Sequence, residues 1–166
     1  MTDSLSGLMK WLRRDEWREA FDETFDRHVG RACAKAEVIL GELPEIIGEH
    51  AFANLWGCAF EDLLARDLDE GRNIVDDYLK RRGWKENASS KAYMRALRSA
   101  VMSVYEVSDI VPGQSFLARD LVRGGEPVRV AERSATRSLK CWDRIAARIV
   151  RVNTKTVMAG GVLPFD

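Results

Sequence analysis

Residues 138–152 read Ser-Leu-Lys-Cys-Trp-Asp-Arg-Ile-Ala-Ala-Arg-Ile-Val-Arg-Val, and this stretch decides the fold. From Ile145 onward, β-branched and small apolar residues are broken by Arg148 and Arg151, which is the composition of a strand. Trp142-Asp143 stands where a turn would feed that strand, and residues 156–163 would pair back on it across Asn153-Thr154-Lys155. Working backward, residues 127–132 alternate apolar and polar, the pattern of a half-buried strand. Residues 104–111 and 115–122 give two more strand candidates, separated by Pro112-Gly113, and Arg123-Gly124-Gly125 supplies a further turn. Five short strands with tight connections predict a small antiparallel β-sheet or barrel over about residues 102–164.

Before this region the apolar period is helical. Leu5, Leu8, Met9 and Leu12 mark one helix face, with Ser4 as a cap. Asp15 would cap a longer helix carrying Trp17, Phe21, Phe25, His28 and Val29 on its buried side. That helical pattern runs through residues 32–40, with Gly41 past its end and Pro44 in the first turn of the next helix. Phe52, Leu55, Trp56, Ala59, Phe60, Leu63 and Leu64 form the strongest apolar stripe, so this helix should be the most buried. Ile74, Val75, Tyr78 and Leu79 make a short helix ended by Gly83 behind three cations. Ser89 or Ser90 would cap a last helix bearing Tyr93, Met94, Leu97 and Val101. The expectation is an α+β fold: a helical layer over about residues 4–101 packed on the β-rich lobe. The two lobes, 1–101 and 102–166, should form one domain, since a length of this order builds a single unit.

Composition narrows the class. Apolar residues are 46% and charged residues 31% of the chain, which excludes wholesale disorder. The formal net charge is zero, but residues 1–100 hold 16 basic and 19 acidic side chains while residues 101–166 hold 10 and 7. Cys33, Cys58 and Cys141 are odd in number and unpaired in spacing, which fits reduced thiols in a cytoplasmic protein. The N-terminus lacks a basic and apolar leader, and no apolar run is long enough to span a membrane.

A resemblance extends over about residues 55–165. It rests on Phe60-Glu61-Asp62-Leu63-Leu64, Asp69-Glu70-Gly71-Arg72-Asn73, Ser103-Val104-Tyr105-Glu106-Val107 and Pro112-Gly113-Gln114-Ser115. It continues through Arg119-Asp120-Leu121, Glu132-Arg133-Ser134-Ala135 and Trp142-Asp143-Arg144-Ile145-Ala146-Ala147-Arg148. On these residues the chain resembles uncharacterised bacterial proteins associated with the SEC-C zinc-binding motif. The cysteine cluster that names that motif is missing from this sequence, so the resemblance implies a family and a cytoplasmic setting without zinc. Related proteins run longer past Gly161-Val162-Leu163-Pro164-Phe165, and the sequence leaves open whether this chain is a shortened member of a longer family.

The candidate chemistry is thin. His28, His50, Cys33 and Cys58 lack the close-spaced pairs that preorganise a zinc site, so no metal and no cofactor are expected. Glu61, Asp62, Asp67, Asp69, Asp76 and Asp77 sit among Arg66 and Arg72 and read as a solvated helix face, with no catalytic residue assigned. Asp120 and Asp143 should accept backbone N–H groups in turns or pair with a neighbouring Arg. Residues 134–138 read as a hydroxyl-rich turn satisfying its own backbone. Gly124-Gly125 and Gly160-Gly161 should be turns or bulges. Candidate contacts to a partner or to nucleic acid are Arg129, Arg133, Arg137, Lys140, Arg144 and Arg148, with Arg129/Arg133 and Arg144/Arg148 expected to share strand faces. Two functions are compatible with this set: a non-enzymatic protein-interaction module, or a nucleic-acid-binding accessory protein using the arginines of the β-rich lobe. Interleaved acids and the scarcity of aromatics favour the first. Nothing in the sequence fixes an oligomeric state.

Overall fold

The change of period near residue 102 is a change of structure. The computed structural model describes residues 2–165. Helices α1 (Ser6–Leu12), α2 (Asp15–Ala36), α3 (Leu43–Ile47), α4 (Glu49–Ala65), α5 (Ile74–Arg82) and α6 (Ala88–Arg98) come first. Strands β1 (Ser103–Val111), β2 (Ser115–Asp120), β3 (Val128–Ala131), β4 (Arg144–Val152) and β5 (Lys155–Pro164) follow, so the chain is α+β.

Aromatic side chains pair the two long helices. Phe21 and Phe25 of α2 meet Trp56 and Phe52 of α4 at ring separations of 4.9 and 5.8 Å, within the range where aromatic pairs attract. Trp17 and Phe21 are buried here, so that stripe is core. Helix α4 is central: one side packs on α2 and the other lies on β5. Asn73 joins α4 to α5. Its amide donates to the carbonyls of Leu64 (2.9 Å) and Arg66 (2.7 Å), while its oxygen accepts from Val75 and Asp76 N–H and caps α5.

The strands close into a barrel in the order β1-β2-β3-β5-β4, with β1 also paired to β4. Four seams are antiparallel, whereas β3 and β5 run parallel through a single bridge, Ala131 to Val157. This is the connectivity of OB-type five-stranded barrels. Tyr105, Val107, Phe116, Val130, Ile145 and Met158 fill the interior. Val150 of β4 and Ala159 of β5 instead join the helical core, so the two lobes share packed residues.

The β4–β5 pairing jumps from Ala147↔Val162 to Ile149↔Met158, so residues 159–161 of β5 stand opposite Arg148 alone. This is the bulge expected of Gly160-Gly161, and it leans on α4. A Cβ on Gly161 would lie 2.6 Å from the Cys58 backbone N, inside any real contact distance. One on Gly160 would meet nothing nearer than Glu61 Oε1 at 3.8 Å.

Several local expectations are corrected. Ser4 lies in a 3₁₀ turn (Thr2–Leu5) and Leu5 holds the cap position of α1, while Asp15 is the first residue of α2 behind Arg14. Helix α2 stops at Ala36, because Glu37 takes a left-handed conformation (φ 55°) that turns the chain, and Gly41 lies in a later 3₁₀ turn. The α6 cap is Asn87, whose side chain accepts from Ser90 N–H at 2.8 Å, so the helix starts before either serine. Val101 lies beyond its end and is exposed.

The contrast between neighbouring glycines gives a direct test. Gly161→Ala should cost about 2–3 kcal/mol and lower Tm by roughly 5–10 °C, since the helix must back away from the bulge. Gly160→Ala should stay near wild type, and equal losses in thermal unfolding would contradict the close approach.

Candidate functional site

Arg148 projects from β4 to the side of α4, the helix that packs on neighbouring β5, and is only 3% exposed. Its Nη2 donates to Asp62 Oδ1 (3.1 Å) and its Nη1 to the Cys58 carbonyl (3.4 Å), with Glu61 Oε2 at 3.7 Å. Glu61 is 4% exposed, and its Oε1 accepts the Gly161 N–H at 2.8 Å. Asp62 faces outward to His28 Nε2 (3.5 Å) and Arg27 Nη2 (3.7 Å). Burial pushes the Glu61 carboxyl up to about 7; the Gly161 N–H, Arg148 and the Gly160 N–H pull it back only in part. The long contact to Arg148 explains why, because the Coulombic return is weak unless the geometry is close. Burial, helped by the Glu61 charge, also pushes the Cys58 thiol up to about 11, which leaves it unreactive.

On the other side of the Gly160 bulge the surface opens into a cleft of about 870 Å³. His50 and Asn54 of α4 form one wall, and the segment 132–144 forms the other. Ile145, Met158, Val162 and Leu139 supply an apolar floor that reaches the barrel core. The 132–143 connection between β3 and β4 borders this cleft, beyond the single parallel β3–β5 bridge.

That connection holds itself. Glu132 Oε1 accepts from Ser134 N–H (2.7 Å) and Ala135 N–H (3.2 Å). Buried Thr136 donates to the Arg133 carbonyl (2.9 Å) and accepts from Gly113 N–H (2.9 Å). Ser138 donates to the Ala135 carbonyl at 3.2 Å, and Asp143 Oδ2 accepts from Lys140 N–H at 2.7 Å. The segment then docks on β1, where Trp142 N–H donates to Val107 O (2.8 Å) and Val107 N–H to Asp143 O (2.9 Å). These bonds hold Trp142 at φ 76° with its side chain 69% exposed. A left-handed conformation costs a non-glycine residue about 1–2 kcal/mol, and here it presents an indole at the mouth of the cleft. Phe165, 50% exposed, flanks the same mouth.

The candidate arginines are separated by the fold. Arg129 is held on β1, donating to the Asp109 carbonyl (2.9 Å) and pairing with its carboxylate at a bulge. Arg133, Arg137 and Lys140 are exposed on the cleft segment, and Arg144 lines the cleft. Arg148 departs from its expected place beside Arg144: alternation puts both on one side of β4, but α4 covers that side at Arg148 and takes its guanidinium out of solvent. Glu61 likewise departs from the solvated face expected of it, while Asp62 keeps one side in water. Asp120 behaves as expected of a turn carboxylate. Burial alone would raise it, but the Ser103 hydroxyl (2.6 Å), the Arg123 and Val122 N–H groups and the Arg123 charge hold it below its ordinary value. Among the described residues no three His, Cys, Asp or Glu side chains converge as a metal site, and no helix is long and apolar enough to cross a membrane.

A family model described as a family of unknown function, DUF7986, matches residues 61–166. The chain belongs to this family. The DUF7986 segment contains Glu61, Asp62, Arg148 and the Gly160-Gly161 bulge, so the α4–barrel junction and most of the cleft fall inside it. No curated protein and no solved structure matches the chain.

The junction makes a pH prediction. Folded Glu61 titrates near 7 against an ordinary value of 4.5, so between these values the folded state binds more protons than the unfolded one. Stability should therefore fall as pH rises from about 4.5 to about 7 and level off above. Glu61→Gln should remove that slope in chemical denaturation across the window; parallel profiles for the two proteins would contradict the assignment.

Proposed function

We propose that this chain is a non-enzymatic protein-interaction module whose two lobes act as one domain and present the barrel-end cleft to a protein partner. The cleft carries the reading: an apolar floor continuous with the core, a strained and exposed Trp142 at its mouth, and polar side chains already engaged in holding their own loop. Glu132, Ser138 and Asp143 serve the backbone, so the cleft is built to receive surface. Its volume lies within the roughly 300–1,000 Å³ of ordinary ligand clefts, and exposed aromatics beside a pocket are the usual anchors of protein contacts. The resemblance to SEC-C-associated bacterial proteins adds a cytoplasmic setting to this proposal.

A nucleic-acid-binding role is the second reading. It draws on Arg144 lining the cleft with Trp142 and Phe165, and on exposed Arg133, Arg137 and Lys140 of the segment that leads to it, since basic and stacking groups together bind single strands. The β2–β3 face used by OB-type barrels weighs against it. There Arg119 pairs with Glu106 and Arg129 with Asp109.

Site-specific photo-crosslinking in the native cell separates a used cleft from a bare one. A crosslinker at position 142 should give a discrete protein adduct, whereas one at Trp84, 73% exposed on the helical lobe, should not. Adducts in equal amounts at both positions, or at neither, would contradict the reading.

A further inference from the structure

We propose that the helical lobe carries a second contact surface, for single-stranded nucleic acid, where the C-terminal ends of α1 and α5 adjoin. It shares no residue with the cleft and does not rest on the interaction reading.

Charge gives the first argument. Residues 10–14 and 80–85 hold seven cations and no acid, in a chain whose formal net charge is zero. One carboxylate ties the two stretches together: Asp77 Oδ2 accepts from Trp11 Nε1 (3.0 Å) and Asp77 Oδ1 accepts from Arg81 Nε (2.6 Å). Arg14 lies over the same Trp11 ring at 3.5 Å, and that ring meets Tyr78 of α5 edge-on at 5.8 Å. Of the seven cations, Arg81 alone has an ion pair among the described residues. Lys10, Arg13, Arg14, Lys80, Arg82 and Lys85 are exposed and uncompensated. The acids nearest in sequence are already engaged: Asp15 with Arg18, Glu16 with Arg72, Asp76 with Arg98, and Glu86 with the Tyr78 hydroxyl. A cluster of cations freed from local acids is the electrostatic footprint of a phosphate-bearing partner.

Trp84 gives the second. It stands in the 3₁₀ turn Gly83–Lys85 that follows α5, with the Lys85 ammonium 5.1 Å from its ring centre. At 73% it is the most exposed large apolar side chain among the described residues. Cations in a last helical turn offset the partial negative charge of that end, which accounts for Lys80 to Arg82. It does not account for an indole left in water among them. An open aromatic face beside cations suits a single strand, which offers unstacked bases and a run of phosphates. An anionic membrane suits it less. Among the described residues from 48 to 100, Trp84 is the one large apolar side chain exposed, whereas interfacial helices lay a whole apolar face on the bilayer.

Fluorescence anisotropy of labelled oligothymidylate with the full chain tests the proposal. At about 50 mM salt the Kd should fall in the range of about 1–100 μM, and log affinity against log salt should slope at about −2 to −4, the mark of roughly three to six neutralised phosphates. Trp84→Ala should weaken binding by about tenfold, Trp84→Phe should restore most of it, and the pair Arg82→Glu with Lys85→Glu should weaken it by at least about tenfold. Arg137→Glu, on the barrel, should leave it unchanged, and matching thermal unfolding of the variants assigns each loss to the site. No binding at about 100 μM protein overturns the proposal, as does binding that survives Trp84→Ala. Loss with Arg137→Glu but not with the Arg82 and Lys85 changes would move the contact to the barrel arginines and overturn it as well. Sedimentation with phosphatidylserine–phosphatidylcholine vesicles should show no Trp84-dependent binding; if it does, the partner is an anionic membrane surface and the proposal falls. A nucleic-acid partner leaves position 84 without a protein adduct, so crosslinking at position 142 still judges the cleft on its own.

Discussion

A single buried guanidinium organises this molecule. Arg148 leaves the barrel through β4 and ends among the carbonyl of Cys58 and the carboxylates of Glu61 and Asp62, all on α4. A charge in that position is costly unless its partners are close, and removing one member of such a set typically costs about 3–5 kcal/mol because the other is left unpaired in the interior. The junction therefore demands register. Helix α4 must sit where its backbone touches Gly161, and β5 must bulge so that the Gly161 N–H reaches Glu61. Helices and strands are thereby fixed against each other by polar geometry, while Val150 and Ala159 add apolar contact.

The cleft is the other side of the same arrangement. The bulge that feeds Glu61 also places Gly160 in the cleft wall, and the helix that buries Arg148 contributes His50 and Asn54. The parallel β3–β5 seam is joined by one bridge, and the connection that follows β3 borders the cleft. That connection is stabilised mostly by its own carboxylates and hydroxyls, with Leu139 and Val162 half-buried in the cleft and Trp142 held outward. A site of this kind sits on a rigid junction, with its variable chemistry on a loop.

Much of the fold was legible from short-range pattern. The β-branched run after Ile145, the turn at Asn153-Thr154 and the apolar stripe of α4 each specify their element locally, and the structure contains all three. The Gly160-Gly161 bulge was readable because paired glycines inside a strand pattern signal close backbone approach. The site was less legible. Glu61 and Asp62 are adjacent carboxylates of similar chemistry, and only the rotation of one helical step decides that the first is buried and the second wet. Arg148 and Arg144 likewise look equivalent along β4 until α4 covers one of them. The cleft joins His50, Trp142 and Phe165, which no local spacing relates, and the closure of the barrel depends on the order of all five strands. Arg133, Arg137, Lys140 and Arg144 were visible as a run of cations; that Arg144 alone of these lines the cleft was not.

Hydrogen exchange resolved along the chain tests the central claim most directly. If Arg148 locks the lobes together, slowly exchanging amides of residues 49–65 and 144–164 should open with the same free energy, through one shared unfolding event. Protection of the barrel strands that clearly exceeds that of α4 would show the lobes opening independently, and would contradict the account.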